Sequence, residues 1–223
     1  SVSQTKSTAV LGWGKVSDAD GYAVELYTGG KWNEVFRTSD NSVTSCTVSS
    51  LKADSIYSLR IRAFKDTDDG IVYGDYTRLA VKTKLAGVTR LKAQGVTATA
   101  IQLDWDRNTS ATGYIIEQYK GGKWTQIAVT KNNYTLTFTV KGLAECTPYS
   151  FRVKAYKNAD GKTNYSDYVT VKGTTLLGTV KNAEATSTTG TWITLGWDRN
   201  IGATGYVLEQ YKGRQWTEIA VTK

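Results

Sequence analysis

Residues able to do acid, base or nucleophilic chemistry are few in this chain. Its 223 residues contain no histidine, which removes the usual general base near neutral pH, most nucleophile–base pairs and most zinc sites. Carboxylates remain. Glu25, Glu117 and Glu209 recur at equal spacing in alternating apolar and polar stretches, and Arg60 and Arg152 are expected on the strands beside the first two. That pattern predicts exposed cross-strand ion pairs, worth about a few tenths of a kcal/mol, rather than catalytic acids. Asp66-Thr67-Asp68-Asp69-Gly70 has the alternating hard oxygens of a calcium loop but lacks the downstream bidentate glutamate. Its counterpart, Asn158-Ala159-Asp160-Gly161-Lys162, has lost most of the carboxylates, so a hairpin turn through Asp-Gly is the expectation. No catalytic site, metal or cofactor is expected.

Two other sets could bind a ligand. Tyr119, Trp124 and Tyr156 should lie on adjacent strands, with Tyr27, Trp32 and Phe64 before them and Tyr211 and Trp216 after. Facing solvent, such rings could stack on sugars; packed together, each Trp would merely cover the sheet. Asp106-Arg107-Asn108 and Asp198-Arg199-Asn200 sit in turn-like segments where the first third of the chain has Gly14-Lys15-Val16. They read either as binding loops or as soluble loop tips.

All these residues are positioned by an internal repeat. An offset of 92 residues places Trp13, Trp105 and Trp197 in register, together with Tyr22, Tyr114 and Tyr206, and Trp32, Trp124 and Trp216. Between Ile101–Lys131 and Ile193–Lys223, 22 of 31 positions are identical. The period is too long for a solenoid unit and suits a small sandwich with its own core. The expected units are residues 1–84, aligned from Ala93 and so lacking the start of a first strand, then 85–176, complete, and 177–223, the first half of a third. Half a sandwich leaves strand edges bare. The sequence is therefore expected to be a window on a longer array, or to be completed by another molecule through strand exchange.

Within the complete unit, Ile101-Gln102-Leu103-Asp104-Trp105 alternates, Tyr114 to Tyr119 follows, and Lys120-Gly121-Gly122-Lys123 turns the chain into Trp124–Ala128. Thr135–Val140 alternates again. Tyr149, Phe151, Val153 and Ala155 fall on one face of a further strand, with Ser150, Arg152, Lys154 and Tyr156 on the other. Val169-Thr170-Val171 closes about seven strands with no helical period, an all-β class.

Leu103-x-Trp105, Gly113-Tyr114-x-Ile116, Leu143 and Tyr149-x-Phe151-x-Val153-x-Ala155 together resemble the fibronectin type III pattern, which recurs as Leu11-x-Trp13, Tyr22-x-Val24, Leu51 and Tyr57-x-Leu59-x-Ile61-x-Ala63. The resemblance implies tandem seven-stranded immunoglobulin-like sandwiches. Each would have three strands facing four, a buried Trp from the second strand, and a tyrosine corner at Tyr57 and Tyr149 that bonds nearby backbone. It also implies partner binding at the loops between second and third strands. Cys46 aligns with Phe138 and reads as a small core residue; Cys46 and Cys146 occupy non-equivalent positions and are not expected to pair. No Arg-Gly-Asp is present, so integrin binding of the kind known for some members is not implied. The Gly-Gly-Lys-Trp hairpin and the near-duplication resemble bacterial members found in secreted and surface proteins.

The net charge of +8 is spread over both units with no dense basic run and no recognition motif, so nucleic acid is not an expected partner. No apolar run reaches bilayer length, so no membrane insertion within this chain is expected. The expectation is a non-catalytic extracellular module of a larger surface or secreted protein. It would be a spacer, stalk or adhesion scaffold, with short stiff linkers near Thr83-Lys84-Leu85-Ala86 and Thr174-Thr175-Leu176-Leu177 and with neighbouring domains of a longer polypeptide as partners. The alternatives are binding of a glycan or a host or cell-surface protein through Tyr27, Trp32, Tyr119, Trp124, Tyr156, Tyr211 and Trp216 or through Arg107, Asn108, Arg199 and Asn200, and fibre formation by strand exchange.

Overall fold

The computed structural model describes residues 2–223. Its first third holds β1 (Val2–Gln4), β2 (Ala9–Gly12), β3 (Gly21–Thr28), β4 (Lys31–Thr38), β5 (Ser45–Val48), β6 (Ile56–Thr67), β7 (Gly70–Tyr73) and β8 (Thr77–Lys82). The same order recurs as β9 (Lys92–Thr97), β10 (Ala100–Asp104), β11 (Gly113–Lys120), β12 (Lys123–Val129), β13 (Thr137–Lys141), β14 (Pro148–Ala159), β15 (Lys162–Tyr165) and β16 (Val169–Thr174). Four strands follow: β17 (Glu184–Thr188), β18 (Ile193–Gly196), β19 (Tyr206–Lys212) and β20 (Gln215–Thr222).

In each full repeat a three-stranded sheet, ordered β1-β2-β5 or β9-β10-β13, faces a second sheet built on β4-β3-β6 or β12-β11-β14. The last strand comes in two pieces, β7 and β8 or β15 and β16, both paired to the long β6 or β14. Between Val153 and Tyr156 the inner strand advances three positions while its partner, from Val169 back to Tyr165, advances four. The extra residue is a bulge that splits the expected closing strand. Ser166 stitches the gap: its backbone N–H donates to the Ala155 carbonyl, and its hydroxyl accepts from the Ala155 N–H.

Alternation does what the pattern predicts. Inward side chains build one core around Ile101, Leu103, Trp105, Tyr114, Ile116, Phe151 and Val153, and another around Leu11, Val24, Cys46, Leu59 and Val81. Cys46 is buried opposite Leu11, as Phe138 is opposite Leu103. The tyrosine corners form: the Tyr57 and Tyr149 hydroxyls accept from the backbone N–H of Lys52 and Ala144 at 2.7 and 2.8 Å. Residues 177–223 contribute two separate hairpins, β17-β18 and β19-β20, and Ile193, Leu195, Val207 and Val221 are exposed there.

The segment expected to act as a linker is not free chain. Thr83 is fully buried and belongs to the first repeat, where its hydroxyl donates to the Lys52 carbonyl. Leu85, two residues on, is buried in the core of the second. Lys84 between them bonds both ways. Its carbonyl accepts from Asp54 N–H in the first repeat, and its ammonium lies 2.5 Å from Asp167 in the second.

Candidate ligand-binding face

The outer face of the larger sheet in each full repeat, and of the β19-β20 hairpin, collects the aromatic residues singled out from the sequence. Tyr27 stands opposite Trp32, and Tyr119 opposite Trp124, because the tight turns through Gly29-Gly30 and Gly121-Gly122 fix the hairpin register. Those four glycines have φ between 59° and 80°, the left-handed region that side chains rarely enter. A bulge between Val24 and Glu25, repeated at Ile116/Glu117 and Leu208/Glu209, follows at the same place in every copy.

The ring pairs pack on each other, with centroids 5.3 Å apart in all three copies, Tyr211–Trp216 included. Trp32 and Trp124 are half-buried because a guanidinium covers each: Arg60 lies 4.4 Å from the Trp32 ring and Arg152 4.5 Å from that of Trp124. The tyrosines stay open, Tyr27 at 47% and Tyr119 at 48% exposure. Tyr211 and Trp216 are more exposed, having only β19 and β20 beneath them. Tyr156 lies on the same face but is half-buried, its hydroxyl donating to the Thr130 carbonyl at 2.9 Å. Its counterpart Phe64 is buried under Arg37. The open platform is therefore a Tyr–Trp pair per repeat, with Tyr156 tied down at its far end.

Sequence reasoning missed Tyr76 and Tyr168. Each follows the bulge in the last strand, which turns its ring onto the arginine. Arg60 is thereby sandwiched between Trp32 and Tyr76 (3.8 Å), and Arg152 between Trp124 and Tyr168 (3.9 Å). The ladder continues, with Arg62 over Tyr73 at 3.5 Å and Lys154 between Tyr165 and Tyr168 at 4.4 and 4.5 Å.

These tyrosines change the status of the glutamates. Glu25 and Glu117 were expected on an exposed face, yet their side chains are only 11% and 13% exposed. The pairing itself is as expected: Arg60 and Arg152 reach them at 2.5 Å. Tyr76 and Tyr168 hydroxyls donate to the other carboxylate oxygens. Burial pushes both carboxyls up, but the tyrosine and arginine hydrogen bonds outweigh it and hold them below the ordinary value. Burial and Glu117 together push the Tyr168 phenol up to about 12. A carboxylate saturated by fixed donors is an anchor for the sheet. Glu209, with no arginine strand beside it, is exposed and lies opposite Glu218.

The Asp-Arg-Asn loops divide. Asn108 and Asn200 point inward, donating to the Ala86 and Gly178 carbonyls at 2.6 and 2.8 Å, while their own N–H groups donate to the Tyr114 and Tyr206 hydroxyls. The expected loop-tip asparagines are thus structural, recruited because a buried tyrosine hydroxyl needs partners. Arg107 and Arg199 remain exposed, Arg107 resting on Tyr134 at 3.9 Å. Asp66–Gly70 forms the β6-β7 hairpin turn, closed by the Thr67 hydroxyl on the Gly70 carbonyl.

Comparison with known proteins matches residues 86–172 to the model of the fibronectin type III domain. Chitinase A1 of Niallia circulans is 31% identical over 141 residues, covering 59% of this chain and 19% of that protein. Tenascin-R of Rattus norvegicus is 24% identical over 225 positions, covering 98% of this chain and 16% of its own length. The chain thus spans less than a fifth of these curated relatives. Among solved structures, a two-domain fibronectin type III segment of chicken tenascin is similar at 17% identity, covering 77% of this chain and 95% of that one, with a TM-score of 0.41. Residues 86–172 match the fibronectin type III domain, and residues 2–82 repeat the strand order of that segment.

Proposed function

We propose that this array is a non-catalytic, extracellular spacer within a larger secreted or surface protein, and that it holds its neighbours apart at a fixed distance. The observation that carries this reading is the junction between the repeats. Asp54, in the first, is 10% exposed and accepts from Lys157 at 2.5 Å and Asn164 at 2.8 Å in the second, with Lys82 at 3.6 Å from its own repeat. With Thr83 buried on one side and Leu85 on the other, the connection has no residue free to swivel. Glu25 and Glu117, the carboxylates best placed for chemistry, are fully engaged as sheet anchors. Likeness to a chitinase and to a tenascin supports an extracellular setting.

Small-angle scattering of the chain tests the reading. A single bent or straight arrangement of the two full repeats is expected, and Asp54→Asn, which tolerates the left-handed backbone at this position but removes the charge that holds Lys157, should broaden the distance distribution while each repeat melts as before. A freely jointed profile in the unsubstituted chain would overturn the proposal.

A further inference from the structure

The outer face of the first repeat holds more cation than its carboxylates match. Arg60 and Arg78 stand directly opposite one another on β6 and β8, a placement that like charges disfavour, and Arg62 lies two residues along the same face. Among the described residues, Glu25 is the one carboxylate that pairs with any of them, at 2.5 Å from Arg60 and 4.0 Å from Arg62. Arg78 is exposed, and the Arg62 Nε–H is buried with no acceptor. The second repeat repeats the theme with Arg152 and Lys154 beside Glu117 and exposed Lys172 opposite Ser150 on the same face. Beside each cluster stands the open tyrosine of a Tyr–Trp pair.

We propose that this face binds a linear acidic polysaccharide, its sugar rings resting on Tyr27 and Tyr119 and its carboxylate or sulfate groups on the arginine and lysine clusters. An aromatic face suits the apolar side of a pyranose ring, and guanidinium groups offer the paired donors that carboxylate and sulfate oxygens accept. Recurrence of the arrangement in successive repeats lets one polymer engage both, so that the second contact is intramolecular. This role goes beyond the spacer and does not depend on it.

Binding of the chain to polygalacturonate and to heparin, measured by titration at about 0.15 M salt, tests the proposal against a neutral chitin oligosaccharide and a single-stranded oligonucleotide. Binding to at least one acidic polysaccharide is expected, weakened about tenfold by Arg78→Thr combined with Lys172→Ala. Each substitution installs the residue that the other repeat carries at that register, Thr170 or Ala80, so melting should not change. Tyr27→Ala with Tyr119→Ala should weaken binding comparably. Equal affinity for the neutral oligosaccharide or the oligonucleotide, no binding to either acidic polymer, or binding that survives either pair of substitutions would each overturn the proposal.

Discussion

Tyr168 shows how much a single hydroxyl can settle. It donates to Glu117, stacks on Arg152 and receives Lys154 on its ring. The phenol, pushed up to about 12, keeps its proton more tightly in the fold than in the unfolded chain. Its contribution to stability is therefore complete below the ordinary tyrosine range near 10 and is lost as pH rises through about 12. Glu117 works in the opposite sense: its lowered value contributes above the ordinary glutamate range near 4.5 and is lost as pH falls below it. Melting followed by tryptophan fluorescence should show a plateau bounded on both sides. Tyr168→Phe should lower stability by about 1–3 kcal/mol, because a nearly buried carboxylate oxygen loses its donor, and should flatten the alkaline edge. An unchanged alkaline edge would assign that edge to other groups. None of this was legible at Tyr168 itself, which follows Asp167 in a stretch without alternation, whereas Tyr149 announced its corner through Tyr149-x-Phe151-x-Val153 and the leucine six residues before it.

At the scale of elements, the strands were legible because a sheet with one buried face writes period two into its sequence, as in Ile101–Trp105 and Tyr149–Tyr156. The bulges were not, since an inserted residue is visible only against the partner strand, and the cation ladder depends on three strands in register. The alignment of β11 with its neighbours also rests on Gly113. A Cβ there would lie 2.1 Å from the Thr130 carbonyl oxygen and 3.0 Å from the Tyr156 ring, and a strand carbonyl cannot withdraw without breaking its ladder. Gly113→Ala is expected to cost about 1–3 kcal/mol, read as a lowered melting temperature of the second repeat. Gly14→Ala, where nothing lies within 4 Å, should be close to neutral. Equal effects from the two would show that close approach is not what selects glycine at position 113.

For the whole molecule, the two junctions differ in chemistry although they share a register. Asp54, which clasps the first, is replaced by Cys146 at the second, where the thiol sits 3.9 Å from the Gly202 carbonyl and the residue is exposed. Burial pushes the Cys46 thiol up to about 11, so a maleimide at neutral pH should label one thiol in the native chain and two after denaturation; two in the native chain would mean that the first core opens readily. The near-identity of Ile101–Lys131 and Ile193–Lys223 carries a hazard during synthesis, because β18 to β20 could compete with β10 to β12 for β13 and β14. The β19-β20 hairpin keeps its bulge and ring pair with no third strand beside it. Hairpins of that kind close on the microsecond scale, so a register written into each hairpin favours pairing within a copy over borrowing from its neighbour.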